Sequence, residues 1–221
     1  MGIMALGYGS EFHLLRWLGR HRDSFSQKVK EATRLKDDIH WLDFNFAEKP
    51  GQLDEELKGV EFASPNVQKA WRDFWPSTGN QQNWDCVGQT SAGKILLVEA
   101  KAHLGELKSP THAKNDGKEK IKAAFAAVKQ SIGVVPTANW MGDYYQFANR
   151  IAALWFLKEH GTDAALINIY FLNDLGNTRR KCPKDTDSWR AIIADEYEHL
   201  GITNNAFVNE NVFPCFIEAY R

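Results

Sequence analysis

A segment in the middle of the chain, NWDCVGQTSAGKILLVEAKAH, constrains the fold more than any other part of the sequence. It contains two short apolar runs joined by a turn at Ser91, Ala92 and Gly93, which predicts a β-hairpin. If the hairpin is centred on Ala92, residues at equal distances from it face each other, so Asp85 lies opposite Glu99. Directly opposed side chains have Cβ atoms about 4.5–5.5 Å apart, where two like charges repel. The sequence therefore predicts a positive group between these two carboxylates.

Lys101 lies two residues beyond Glu99, and alternate side chains of a strand point to the same face. The carboxylate pair therefore has an ammonium group beside it, whereas Ala100 points to the other face. Oxygen ligands of this kind suit Mg²⁺ or Mn²⁺ rather than zinc. A divalent cation beside a lysine that positions or deprotonates a water provides the groups that phosphodiester hydrolysis needs.

Asp85, a spacer and Glu99-Ala100-Lys101 at the end of an apolar strand resemble the signature of the PD-(D/E)xK nuclease superfamily, which includes restriction endonucleases. The resemblance implies an α/β fold with a restriction-endonuclease-like αβββαβ core, a central mixed sheet flanked by helices, and C-terminal additions. It implies that Asp85, Glu99 and the backbone carbonyl of Ala100 bind Mg²⁺ or Mn²⁺, and that Lys101 assists the attacking water. DNA is the implied substrate and partner, and a homodimer is compatible with it. Trp84 stands where the family signature has proline.

The resemblance also suggests three further residues near the site. Many members of the superfamily place a glutamate of the N-terminal helix at the metal, which suggests Glu11 as a ligand. Its alternative explanation is a favourable position for an acid in the first helical turn. Some subfamilies place a helical glutamine and tyrosine beside the active centre, which suggests Gln146 and Tyr145. Gln146 follows Asp143 by three residues, so its alternative explanation is a capping box.

The acidic pair also has structural interpretations. On an exposed strand, Glu99 and Lys101 would form an ordinary ion pair worth about 0.2–1 kcal/mol. The run from Ile95 to Val98 is apolar on both faces, however, which is typical of a central, covered strand. Charges at the end of such a strand lie at the rim of the core, where an unpaired charge is costly. We therefore favour a nuclease over a catalytically silent member of the same fold that binds nucleic acid or a partner, and over a small-molecule-binding α/β protein.

Composition permits this interpretation without selecting it. With 221 residues, 43% of them hydrophobic, the chain can bury one substantial core, so we expect a single domain over residues 1–221. Three cysteines without a CxxC pair favour the reducing cytoplasm, and we expect neither a signal peptide nor a membrane span. The net charge is −1, but basic residues predominate from Arg16 to Lys36 and from Lys101 to Lys129, which permits DNA binding.

Periodicity predicts the elements around the hairpin. Before it we expect an amphipathic helix that begins with a capping serine, Ser10, and a half-buried strand from Ile39 to Phe46. After it we expect helices over Lys118–Ser131 and Asp143–Leu157, a buried strand over Ala164–Leu172, a helix over about Thr186–Leu200 and a final strand near Val212–Ala219. Helices and strands in this order predict an α/β fold with a crossover connection.

Overall fold

The computed structural model describes residues 7–43, 56–77, 81–111, 113–176 and 179–220. In chain order these ranges contain α1 (Ser10–Arg20), α2 (Arg22–Thr33), β1 (Ile39–Trp41), α3 (Pro65–Phe74), β2 (Cys86–Thr90), β3 (Ile95–Lys101), α4 (Asn115–Ile132), α5 (Tyr145–Glu159), β4 (Ala164–Leu172), α6 (Thr186–Leu200), α7 (Ala206–Asn211) and β5 (Val212–Glu218). A 3₁₀ turn, Leu104–Glu106, follows β3. Within these ranges no helix combines the length and the apolar character that crossing a membrane requires.

The five strands form one mixed sheet in the order β1-β2-β3-β4-β5. β1, β2 and β3 pair antiparallel, whereas β3, β4 and β5 pair parallel. Parallel neighbours need a crossover connection, which α4 and α5 provide between β3 and β4, and α6 and α7 between β4 and β5. The predicted α/β class, with a central mixed sheet flanked by helices, is confirmed.

The hairpin of β2 and β3 has the predicted register, with Val87 opposite Leu97. The backbone N–H of Thr90 donates to the carbonyl of Lys94 at 2.9 Å and closes the turn. Gly93 has a φ of +89°, a backbone conformation that a residue without a Cβ adopts at no steric cost. The sequence therefore determines the turn, and the turn sets which strand residues face each other.

Helices cover both faces of the sheet because β3 and β4 are apolar on both sides. Each face has its own core, and alternate residues of β3 belong to different cores. On one face, Leu97 and Leu166 pack with residues from α3, α4, α5 and α6, among them Trp71, Phe125, Leu154 and Trp189. On the other face, Leu96, Val98 and Ile167 pack with residues from α1 and α2, among them Leu14, Trp17 and Phe25. β3 is the central strand, and its residues Ile95 to Ala100 are all buried.

Several predicted boundaries differ in the structure, among them the start of α4, which lies at Asn115, three residues before the predicted Lys118. The strand predicted from Ile39 to Phe46 ends at Trp41, and its predicted positions 44–46 lie outside the described residues. Ser10 is the first residue of α1 and not its cap, because Gly9 occupies the N-cap position. Helix α5 begins at Tyr145, two residues after the predicted Asp143, and no side chain caps it.

Candidate active site at the end of the central strand

The end of β3 presents Glu99 and Lys101 to α5, while Ala100 packs in the core on the opposite face. Asp85 immediately precedes β2, and its Oδ2 accepts a hydrogen bond from the backbone N–H of Ala100 at 2.6 Å. This bond ties the Asp85 carboxyl group to the residue that follows Glu99. The structure thus brings Asp85, Glu99 and Lys101 together, as the hairpin register predicts.

Glu99 is almost completely buried, with 3% of its surface exposed, and donors surround its carboxylate. Its Oε1 accepts hydrogen bonds from Lys101 Nζ and, at 2.8 Å, from Gln146 Nε2. Its Oε2 accepts one from Arg150 Nε at 2.7 Å. Burial opposes ionisation, but the charges of Arg150 and Lys101 hold the pKa of Glu99 below its usual value. Glu99 is therefore an ionised carboxylate at neutral pH.

The same surroundings raise the pKa of both Asp85 and Lys101, which leaves the aspartic acid neutral and the lysine charged. Burial and the neighbouring charge of Glu99 raise the pKa of Asp85 to about 8, so this carboxyl group keeps its proton at neutral pH. Burial opposes the charged form of Lys101 too, but the carboxylates of Glu99 and Asp85 raise its pKa above the usual value. The Asp85 oxygen that does not bind Ala100 has no hydrogen-bond partner among the described residues. The arrangement thus contains a charged lysine beside a protonated aspartic acid.

Arg150 is the main site residue that the sequence analysis missed. It lies on α5, where its guanidinium binds Glu99, donates to the carbonyl of Asn83 at 2.6 Å, and lies 4.9 Å from the ring of Trp84. It therefore connects the central strand to the segment that carries Asp85. The signal was present in the sequence, because Asn149 and Arg150 are polar residues in a helix that is otherwise apolar almost all round.

The structure places Gln146 in the site and Tyr145 beside it. Gln146 donates to Glu99, and its Oε1 accepts from Lys101 Nζ at 3.1 Å, so the capping-box explanation is wrong. Gln146 therefore holds the lysine and the carboxylate in a fixed relation. Tyr145 lies in the wall of the cleft in front of the site, and its hydroxyl interacts with the side chains of Thr111 and Asn149.

Glu11 does not join the other residues. It is exposed on α1, and α1 packs on the sheet face opposite to the one that carries Glu99 and Lys101. Among the described residues, no three His, Cys, Asp or Glu side chains lie close enough to share a metal ion. Glu11 therefore does not join Asp85, Glu99 and the Ala100 carbonyl in the predicted ligand set, and it is better explained by its place in the first turn of its helix.

A cleft of about 990 Å³ lies in front of Asp85. Its lining comes from the segment before β2, the segment that leads into α4, and the first turns of α5, and it includes Gln82, Asn83, Asp85, Thr111, Tyr145, Asn149 and Arg150. Two exposed lysines, Lys58 and Lys114, also line it. The acid with the raised pKa is thus accessible from a cavity large enough for a small ligand.

A second, much smaller cavity lies behind the site, between β3, β4 and α6. Its lining includes Glu99, Lys101, Asn168 and Glu196. Glu196 Oε2 and Asn168 Nδ2 are buried and have no hydrogen-bond partner among the described residues. Burial raises the pKa of Glu196 to about 8, and the negative charge of Glu99 raises it further while Lys101 opposes the shift. Glu196 is therefore a neutral acid at pH 7, next to the charged pair.

A separate acidic cluster lies at the same edge of the sheet, on the α1 side. We call it the α1 cap cluster, and it consists of Asp174, after β4, and Glu106, after β3. Asp174 accepts hydrogen bonds from the backbone N–H groups of Gly9 at 2.8 Å and Gly176 at 3.2 Å, and from the Tyr220 hydroxyl at 3.1 Å. Glu106 accepts from the N–H groups of Ala102 at 2.6 Å and Ser10 at 3.3 Å. The two acids therefore cap the N-terminus of α1.

No protein-family model, no curated protein and no solved structure matches the chain.

Proposed function

We propose that the chain is a metal-dependent nuclease of the restriction-endonuclease-like fold that hydrolyses phosphodiester bonds in DNA. The observation that carries the proposal is the convergence of Asp85, Glu99 and Lys101, of which Asp85 lines the cleft. The order of helix α1, strands β1 to β3, helices α4 and α5, and strand β4 supports the αβββαβ core. The antiparallel hairpin and the parallel crossover support it as well.

The donor set fits Mg²⁺ or Mn²⁺. Asp85 has an oxygen without a partner among the described residues, and burial and the charge of Glu99 raise its pKa. Glu99 Oε2 accepts one hydrogen bond, so a lone pair of this oxygen is left for a cation. Asp85, Glu99 and the carbonyl of Ala100 would hold the ion. When bound, such an ion neutralises charge on the phosphodiester and lowers the pKa of a coordinated water.

The remaining side chains position the reacting groups. Hydrolysis forms a bond from a water oxygen to phosphorus and breaks the bond to one sugar oxygen, while negative charge accumulates on the phosphoryl oxygens. The ammonium group of Lys101 orients the attacking water or stabilises that charge by donating hydrogen bonds. Gln146 fixes the direction of the Lys101 side chain, and Arg150 holds Glu99 in place. Water enters through the cleft in front of Asp85.

A cleavage assay tests the proposal. Purified protein is incubated with supercoiled plasmid and with single-stranded DNA in Mg²⁺, in Mn²⁺ and in EDTA. We expect cleavage with either metal and none in EDTA, and a loss of at least about 100-fold in the Lys101→Ala variant. Lys94→Ala, which removes a lysine at the opposite end of β3, is the matched control and should cleave as the wild type does. Cleavage that persists in EDTA or in Lys101→Ala would overturn the assignment.

A second candidate function rests on the three side-chain donors that already bind the Glu99 carboxylate. Lys101, Gln146 and Arg150 all donate to its carboxylate, and such a group can be a structural ion cluster. The chain would then be a catalytically silent member of the fold that binds nucleic acid or a protein partner. DNA binding without cleavage under every metal condition would favour this alternative.

A further inference from the structure

We propose that the cleft contains a subsite for one unpaired nucleobase, built by Gln82 and Asn149. This inference rests on the proposed function and deepens it, because it makes the substrate a strand with an unpaired base, such as single-stranded DNA or a frayed end. A fully paired duplex can present a base in this way only if the base is first extruded from its pair and its stack, which costs free energy.

Two buried amides beside the cleft have side-chain atoms without a hydrogen-bond partner among the described residues. Gln82 is 3% exposed, and neither Oε1 nor Nε2 of its side chain has a hydrogen-bond partner within the described residues. Asn149 is 7% exposed, and its Oδ1 is in the same condition. Both residues line the cleft. A buried polar group without a partner is costly, so native proteins satisfy nearly all of them with protein, water or ligand.

The donors and acceptors of these two amides favour a nucleobase as the ligand of the cleft. Gln82 offers a donor and an acceptor side by side, and Asn149 adds a second acceptor. A nucleobase edge presents donors and acceptors in complementary pairs, and glutamine and asparagine recognise adenine by such paired bonds. A phosphate offers only acceptors and would leave both amide oxygens without a donor. The buried amides therefore suit a base and not a phosphate.

The rest of the cleft agrees with this assignment. Tyr145 precedes Asn149 by one helical turn and lines the cleft, where its ring can contact the flat face of a base. The two cleft lysines, Lys58 and Lys114, are exposed, where they can contact the phosphates on either side of the bound base. A base that reaches the buried amides must leave its stack and its pair, which costs least in a single strand.

Binding in EDTA tests the subsite separately from cleavage. Fluorescence anisotropy gives the dissociation constants of the wild type for a labelled single strand, for its blunt duplex, and for an abasic sugar-phosphate strand of equal length. We expect the natural single strand to bind at least about 10-fold more tightly than the other two. Gln82→Met keeps the shape of the side chain and removes its amide, and Asn149→Leu does the same for the second residue. Either substitution should reduce the preference for the natural strand over the abasic strand at least about 3-fold.

Gln89→Met, at an exposed position of β2, is the matched control and should leave the preference unchanged. Thermal unfolding verifies that each variant is folded. Equal affinity of the wild type for natural and abasic strands would overturn the subsite. An unchanged preference in folded Gln82→Met and Asn149→Leu variants would overturn it as well. Because no metal is present, a failure to cleave DNA does not alter this readout. If the protein cleaves DNA but binds natural and abasic strands equally, the subsite is rejected and the proposed nuclease function is retained.

Discussion

Two pairs of acidic residues lie at the same edge of the sheet, and they differ in their hydrogen-bond donors and in the direction of their pKa shifts. In the α1 cap cluster, the oxygens of Asp174 and Glu106 accept hydrogen bonds chiefly from backbone N–H groups. Burial opposes the ionisation of Asp174, but the N–H of Gly9 and the side chain of His13 keep its pKa below the usual value. On the other face, Asp85 accepts a single backbone N–H, and burial and the charge of Glu99 raise its pKa to about 8.

This difference in pKa distinguishes an acid whose charge stabilises the fold from an acid whose charge destabilises it. Backbone donors are present in every folded molecule, so the ionisation of Asp174 stabilises the native state. The ionisation of Asp85 destabilises the native state unless a cation is bound beside it. Functional sites commonly reduce stability in this way, whereas caps increase it. The two aspartates should therefore respond in opposite directions to the same substitution by asparagine.

The largest effect is expected when the charge of Glu99 is removed. Glu99→Gln leaves the buried cations Arg150 and Lys101 without their carboxylate, and breaking a buried ion pair on one side costs about 3–5 kcal/mol. We expect the free energy of unfolding, from urea titrations at pH 7, to fall by this amount. Adding Arg150→Met to Glu99→Gln should recover part of the loss. A loss below about 1 kcal/mol would show that the cluster is solvated and not buried.

Asp174→Asn comes next in size. Asparagine keeps the shape but removes the charge that the N–H groups of Gly9 and Gly176 bind, and hydrogen bonds to a charged group are worth about 1.5–3 kcal/mol. We expect a decrease of about 2 kcal/mol in the free energy of unfolding at pH 7. Asp187→Asn, at an exposed position of α6, is the control and should change it by less than about 0.5 kcal/mol. Equal stability of Asp174→Asn and the wild type would remove the distinction between the two clusters.

Asp85→Asn should stabilise the protein in the absence of metal. The folded-state pKa of Asp85, about 8, lies above its ordinary value of 3.8, so its contribution to stability is greatest below pH 3.8 and is lost as the pH rises toward 8. Asparagine cannot ionise and avoids this loss. We expect the variant to exceed the wild type by at least about 1 kcal/mol at pH 7, and the difference to shrink as the pH falls toward 4. A variant less stable than the wild type at pH 7 would mean that Asp85 is a structural acid.

The local part of this site could be predicted from the sequence. The hairpin turn fixes the register, and strand alternation then places Glu99 and Lys101 on one face, opposite Asp85 across the pair. The four apolar residues that precede Glu99 identify β3 as a central strand. These inferences need only neighbours along the chain or across one turn.

The long-range part could not be predicted. Arg150 follows Glu99 by 51 residues, and its direction depends on how α4 and α5 return over the sheet. In the sequence, a capping box explains Gln146 more simply than a site role does, and only the position of α5 decides between them. The cap of α1 comes from Glu106 and Asp174, which are 96 and 165 residues from their partners. Local periodicity contains no information about such contacts.

Calorimetric titration with Mn²⁺ at pH 7, on the wild type, Asp85→Asn and Asp174→Asn, tests the central claim most directly. We predict one Mn²⁺ site in the wild type and in Asp174→Asn, and no binding in Asp85→Asn. Binding to the wild type should release a proton from Asp85, which a comparison of buffers with different ionisation enthalpies measures. Equal Mn²⁺ binding in Asp85→Asn and the wild type, or no binding in any of the three proteins, would contradict the assignment of a metal site to Asp85 and Glu99.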